Sequence, residues 1–234
     1  MVKRLFVSKV LVMLFVLLLF VQGMAVAVDC LEGGYVGCDE ALSAVSNFLT
    51  NFNYEQYYWA EDFQFTTLNN SRVDSMTFAY YVGHGAPWII TEPDGTVINL
   101  ATAGGSSHQG WGDVNLRYAA FYSCNVVPSP LEVSDWYSNW ISESDDVFDG
   151  IRQICGYRTA AAIATGPSIS NYFGNNIRNG SNIWQRWFDA NNIYGVSGMY
   201  ASAVMHPDAA EDSYNSCSIP AAPDDGYLRI YYQN

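Results

Sequence analysis

Met76-Thr77-Phe78-Ala79-Tyr80-Tyr81-Val82-Gly83-His84-Gly85 is the stretch on which the fold turns. Its first seven residues carry no charge and do not alternate with polar ones, and the run stops at a glycine. A strand with one wet face alternates, whereas a strand covered on both faces does not. Leu116 to Ser123 repeats the pattern and runs into Cys124, and Arg152 to Arg158 supplies a third apolar run. Trp88 to Leu100 holds Pro93-Asp94-Gly95 between two β-rich segments and reads as a hairpin. Val196 to Met205 and Tyr227 to Tyr232 read as late strands.

Helical signals fall between these runs. Asp39 to Leu49 starts at a capping residue and repeats Leu42, Val45, Phe48 and Leu49 on one face. Ser134 to Ile141 reads as a helix capped by Ser134, and Ser168 to Ile177 and Ser181 to Ala190 as two helices parted by Asn179-Gly180. Strands that alternate with helices predict an α/β three-layer sandwich around a largely parallel central sheet. Asn51 to Phe65 is crowded with aromatics, which serve best as cover for a sheet edge, and Ala103 to Gly112 is a Gly/Ser-rich loop.

Outward from this core, the amino terminus has a separate character. Lys3, Arg4 and Lys9 precede an uncharged run from Val10 to Val21, and Ala25-Val26-Ala27 gives the small-x-small pattern behind which leader peptidases cut. Residues 1–27 therefore read as a signal peptide and residues 28–234 as a single secreted domain. The alternative is a retained anchor, because Val10 to Val28 is uncharged and long enough to cross a hydrocarbon core of about 30 Å. A membrane partner follows only in that case.

The whole chain has 234 residues and a formal charge of −13; loss of Lys3, Arg4 and Lys9 takes it to −16, with seven arginines and no lysine left. Such a field repels nucleic acid and excludes it as a primary partner. Five cysteines remain beyond the leader, an odd number, so in an oxidising compartment one thiol is left over. Spacing allows Cys30 with Cys38 and Cys155 with Cys217, an arrangement that leaves Cys124 free, but spacing alone does not select it.

Two of the buried-type strands end in reactive residues, Val82-Gly83-His84-Gly85 and Tyr122-Ser123-Cys124. In an open α/β sheet, ligands bind outside the carboxyl ends of the strands. Parallel neighbours would turn His84 and Cys124 toward one crevice. An ordinary thiol is only a few per cent thiolate at neutral pH, so a nearby imidazole has a defined task, to take its proton. Cys124 just past a strand offers its N–H and Gly85 lets a second N–H approach closely; two such donors would hold an oxyanion, a contribution of about 3–4 kcal/mol per donor.

A hydrophobic strand ending in His-Gly, followed by one ending in a small residue and Cys, resembles the caspase-like superfamily of cysteine peptidases (clan CD: gingipains, clostripain, legumain, separase, caspases). The resemblance implies a His84/Cys124 dyad, with His84 as general base, Cys124 as nucleophile, and Gly85 and Cys124 as oxyanion donors. It implies a peptide or protein substrate and no cofactor. Trp111-Gly112-Asp113, Leu116-Arg117-Tyr118, Phe148-Asp149-Gly150-Ile151-Arg152, Gly156-Tyr157-Arg158-Thr159 and Ile183-Trp184-Gln185-Arg186-Trp187-Phe188 look like an uncharacterised prokaryotic exported branch of the same fold. Ser123 departs mildly from the Ala that peptidases carry before the cysteine.

Three residues are weaker candidates for a substrate pocket: Asp113, whose carboxylate would suit Arg or Lys, Trp111, and His108 in the Gly/Ser loop. HExxH, CxxC, Walker and GxSxG patterns are absent from the sequence, and Asp145 to Gly150 does not fit a calcium loop, so no metal is assigned. Asp208, Glu211, Asp212, Asp224 and Asp225 read as a solvated acidic face. Two function classes remain: a secreted cysteine endopeptidase-like hydrolase, and a catalytically inert caspase-like scaffold acting as an extracellular binding or surface module. The sequence does not choose an oligomeric state.

Overall fold

The computed structural model describes residues 24–28, 38–52, 62–91, 97–100, 111–141, 147–214 and 227–234. The central sheet has six strands: β1 (Met24–Val28), β2 (Phe78–Val82), β6 (Tyr118–Tyr122), β7 (Gln153–Tyr157), β8 (Ala201–Met205) and β9 (Arg229–Tyr232), in the order β1-β2-β6-β7-β8-β9. The first four are parallel, and β8 and β9 join antiparallel at one edge. All five residues of β2, β6, β7 and β8 are buried, as uncharged, non-alternating runs require. The sheet is thus parallel in its interior and mixed overall, and β1 ends at Val28, with Met24 to Ala27 inside the segment read as a signal peptide.

Alternation along the strands sends the two sets of side chains into two cores. Phe78, Tyr80 and Val82, with Tyr118, Ala120 and Tyr122, face the helices α1 (Cys38–Leu49), α3 (Gly166–Arg178) and α4 (Ile183–Tyr194). Phe48 of α1 stacks on Tyr80 with ring centroids 4.2 Å apart, and the Tyr80 hydroxyl shares a 2.6 Å hydrogen bond with Ser170 of α3. Ala79, Tyr81, Ala119, Phe121, Ile154 and Val204 face the other way. There they meet a small antiparallel sheet, β3 (Gly85–Ala86), β4 (Ile89–Thr91) and β5 (Val97–Asn99), together with Trp111, Trp136, Trp140 and Phe148. Among the described residues the third layer is therefore this small three-stranded sheet and turns, with the short α2 (Asp62–Phe65) bringing Phe65 into it.

Several local expectations need correction. Leu42 is exposed, and Ala41 and Ala44 take its place beside Val45, Phe48 and Leu49 in the buried stripe. Asp39 lies inside the first turn of α1 and does not cap it. Residues 134–140 form consecutive turns and no helix, although Trp136 and Trp140 are both buried at helical spacing. Only scattered bonds such as Asn139 N–H to Asp135 O at 3.1 Å form there. The helix read from Ser181 begins at Ile183, because the Asn182 side chain accepts the Gln185 N–H at 3.2 Å and makes Asn182 the cap. Most of the aromatic segment 51–65, and residues 101–110, lie outside the described residues.

At the amino ends of the parallel strands the sheet is closed by buried charge. The Asp74 carboxylate accepts the N–H groups of Gly112 and Leu116 at 3.0 Å and of Val114 at 3.1 Å, fixing the turn that feeds β6. Asp212, read from sequence as part of a solvated acidic face, is 5% exposed and paired with Arg152 through both carboxylate oxygens. Arg152 brings it inside because the guanidinium just before β7 needs a partner once buried. Among the described residues no helix is long and apolar enough to cross a membrane.

Asp74→Ala strands three amides and is expected to lower unfolding free energy by about 2–4 kcal/mol in urea titrations at pH 7. Burial pushes the Asp74 carboxyl up to about 6, against the pull of those amides. A carboxyl raised on folding favours the folded state below its folded value and loses that contribution as pH rises through 6. The deficit of the variant should therefore grow as pH falls from 7 toward 4; a deficit that shrinks would mean that the amides outweigh the burial.

Candidate active site

β2 and β6 pair in parallel register from Phe78↔Tyr118 to Val82↔Tyr122. The pairing runs on one step further, with Gly83 N–H donating to Tyr122 O at 3.2 Å. His84 and Cys124 each lie two residues beyond the last pair, so the two strands deliver them to the same edge at the same level. Both are half-buried.

The loops that carry them touch. A Cβ added to Gly85 would lie 2.2 Å from Ser123 Oγ, 2.5 Å from Val126 Cγ2 and 2.7 Å from Ile89 O, so only glycine fits where the β2 loop crosses the β6 loop. His84 and Cys124 are the sequence neighbours of that contact pair. The Ser123 hydroxyl is buried and has no hydrogen-bond partner among the described residues.

Each loop is pinned from behind. The Tyr81 hydroxyl lies 3.0 Å from the His84 carbonyl oxygen and 2.9 Å from that of Thr91, which ties the histidine backbone to the hairpin. Trp88 N–H donates to Val126 O at 3.3 Å. On the other side, Asn125 takes a left-handed conformation (φ 56°), tolerated by asparagine better than by most residues. Its N–H donates to Thr159 O at 3.0 Å, and Val127 N–H to Tyr157 O at 3.1 Å. The chain thus turns sharply just after Cys124 and returns along β7.

Cys124 is a free thiol. Its sulfur accepts the Ala161 N–H at 3.3 Å and lies 3.8 Å from the Ala161 carbonyl oxygen. The segment that follows β7 therefore walls the thiol at Ala161. That wall was not singled out in the sequence, where Ala160-Ala161-Ala162 carries no chemical signal beyond small size. Gly85 opens β3 and pairs with Ile90, so its backbone is part of the small sheet.

The remaining sequence candidates separate from this edge. Trp111 is buried against Phe121 with ring centroids 6.0 Å apart, and its indole N–H donates to Phe65 O at 3.1 Å. It is core, not pocket. Asp113 belongs to the turn held by Asp74, before the amino end of β6. The length of β6, about 16 Å at 3.3 Å per residue, separates it from Cys124. The carboxylate that would suit a basic side chain is at the wrong end of the sheet. His108 lies outside the described residues.

The disulfide reading also changes. Cys155 is a free thiol, wholly buried in the middle of β7, where it faces the helices as a small apolar residue. Burial pushes its thiol far up, which disfavours the thiolate that nucleophilic chemistry needs. Cys30 and Cys217 lie outside the described residues. Cys124 remains the one described thiol with access to solvent.

These features define an α/β protein with a histidine and a cysteine at the carboxyl edge of adjacent parallel strands. Residues 36–218 match the model of a family described as a domain of unknown function (DUF6345), and the chain belongs to that family. No curated protein matches. Among solved structures, the Arg-specific cysteine proteinase gingipain R (RGPB) is similar over 82% of this chain and 45% of its own, at 13% identity and a TM-score of 0.47. A complex of the pro- and mature domains of Porphyromonas gingivalis RgpB is similar over 82% of this chain and 46% of its own, at 14% identity and a TM-score of 0.40. The chain spans less than half the length of either.

Gly85→Ala should force the two loops apart, with a loss of about 1–3 kcal/mol of stability from overpacking, read in a thermal or denaturant melt. In a thiol titration, Cys124 should react in the native protein and Cys155 only after denaturation. Native reaction at Cys155, followed by peptide mapping, would contradict the buried position.

Proposed function

We propose that this protein is an exported cysteine-peptidase-like hydrolase of caspase-like type, acting on a peptide or protein substrate through Cys124 and His84. The observation that carries the reading is the contact of Gly85 with Ser123, which holds the residues next to them at one level of one sheet edge.

The chemistry runs as follows. His84 accepts the Cys124 proton while the sulfur forms a bond to the substrate carbonyl carbon, whose oxygen takes up the negative charge. Collapse breaks the C–N bond, and the departing amine takes the proton from His84. Water then adds to the thioester, releasing the acid and returning the proton to the sulfur. The Gly85 and Cys124 N–H groups are the proposed oxyanion donors. Support for export comes from the charged, apolar and small-residue order of the amino terminus.

A peptidyl chloromethyl ketone carrying a mixture of residues next to the warhead tests the reading. Cys124→Ala should abolish labelling with the fold intact, and His84→Ala should slow labelling by about 100-fold or more. Equal labelling of the wild type and either variant would sink the dyad and favour the inert binding module.

A further inference from the structure

The amino-terminal processing site is the feature on which sequence and structure diverge. The pattern Ala25-Val26-Ala27 invites a cut behind Ala27. Yet Met24 to Val28 is β1, paired in parallel with β2 at five successive positions from Met24↔Phe78 to Val28↔Val82. A cut behind Ala27 would leave Val28 alone of the five. It would also make β2, the strand that carries His84, the edge of the sheet.

β2 is poorly suited to be an edge. All five of its residues are buried, and Phe78, Tyr80 and Val82 are at most 1% exposed. Proteins protect edges with charge, proline, bulges or short strands. Phe78-Ala79-Tyr80-Tyr81-Val82 has no charge, no proline and a full parallel ladder on its other side. Helix α1 packs across both β1 and β2, so the layer above is built to the width of a sheet that includes β1.

We infer that the leader is removed at the Gly23–Met24 bond, so that the mature chain begins with β1. Gly23 supplies the small residue directly before the bond, and Val21 an uncharged one two positions earlier. The apolar run from Val10 to Val21 has the length of a leader core, about 7–15 residues. The step is a hydrolysis by the host's leader peptidase: water adds across the bond, leaving a carboxylate on Gly23 and a free amine on Met24. Ala25-Val26-Ala27 is then a strand sequence whose small residues imitate a cleavage signal. The inference rests on the export reading and is independent of the dyad.

The full chain, expressed with its own leader in an exporting bacterial host, tests this by intact mass and amino-terminal sequencing. The expected terminus is Met24. Gly23→Val should leave the leader attached, because valine is too large beside the cut, whereas Ala27→Val keeps a strand-favouring residue and should be processed normally. Pulse labelling reads the size shift before folding is complete, so a poorly folded variant still reports. A terminus at Val28, a block by Ala27→Val but not by Gly23→Val, or an uncut wild-type chain would each overturn the inference. Chains begun at Met24 and at Val28 give a second reading: the shorter one should melt lower by about 5 °C or more, and equal melting would count against β1 as part of the mature fold.

Discussion

The close approach of Gly85 to Ser123 is the constraint on which the rest depends. Parallel pairing of β2 with β6 brings two strand ends together, but strand ends alone do not make a site, since loops can splay. Here the loops cross at a separation that admits no Cβ, and the crossing fixes the level at which His84 and Cys124 emerge. Glycine at position 85 follows from that separation. The buried Ser123 hydroxyl without a described partner lies at the same crossing, a polar group held in a place where packing alone would favour alanine.

The two ends of the sheet are built on opposite principles. At the amino ends of the parallel strands, Asp74 collects three amides and Arg152 meets Asp212 in the interior. These buried, satisfied groups lock the turns in place. At the carboxyl ends the loops are pinned from behind by Tyr81, Trp88 and Asn125, while the thiol side is lined by the small residues after β7. The described loops at the carboxyl ends are thus fixed from behind, with Ala161 set against the Cys124 sulfur.

The two described thiols show how position relative to a strand decides exposure. Cys155 occupies the middle of β7 and faces a helical layer, where the charged form of a thiol is strongly disfavoured. Cys124 has the same side chain two residues past a strand end, next to an N–H donor and partly in contact with solvent. The difference comes from tertiary placement and from nothing in the residue itself.

Sequence alone determined the buried strands, because an uncharged run that fails to alternate has few other homes, and it determined that His84 and Cys124 terminate two of them. It also marked α1, α3 and α4 within a few residues, since their periodicity and caps are local. It did not determine which strands are neighbours, which carboxylates are buried, or that Asp113 and Trp111 belong to the far end and the interior. Those outcomes depend on contacts between residues distant in the chain: Asp74 with Gly112, Arg152 with Asp212, Gly85 with Ser123. The same holds at the amino terminus, where a local pattern of small residues reads as a cleavage signal and only the folded chain sets the same residues in a five-residue ladder with β2. Local patterning is written in spacing, whereas adjacency is written only in the folded chain.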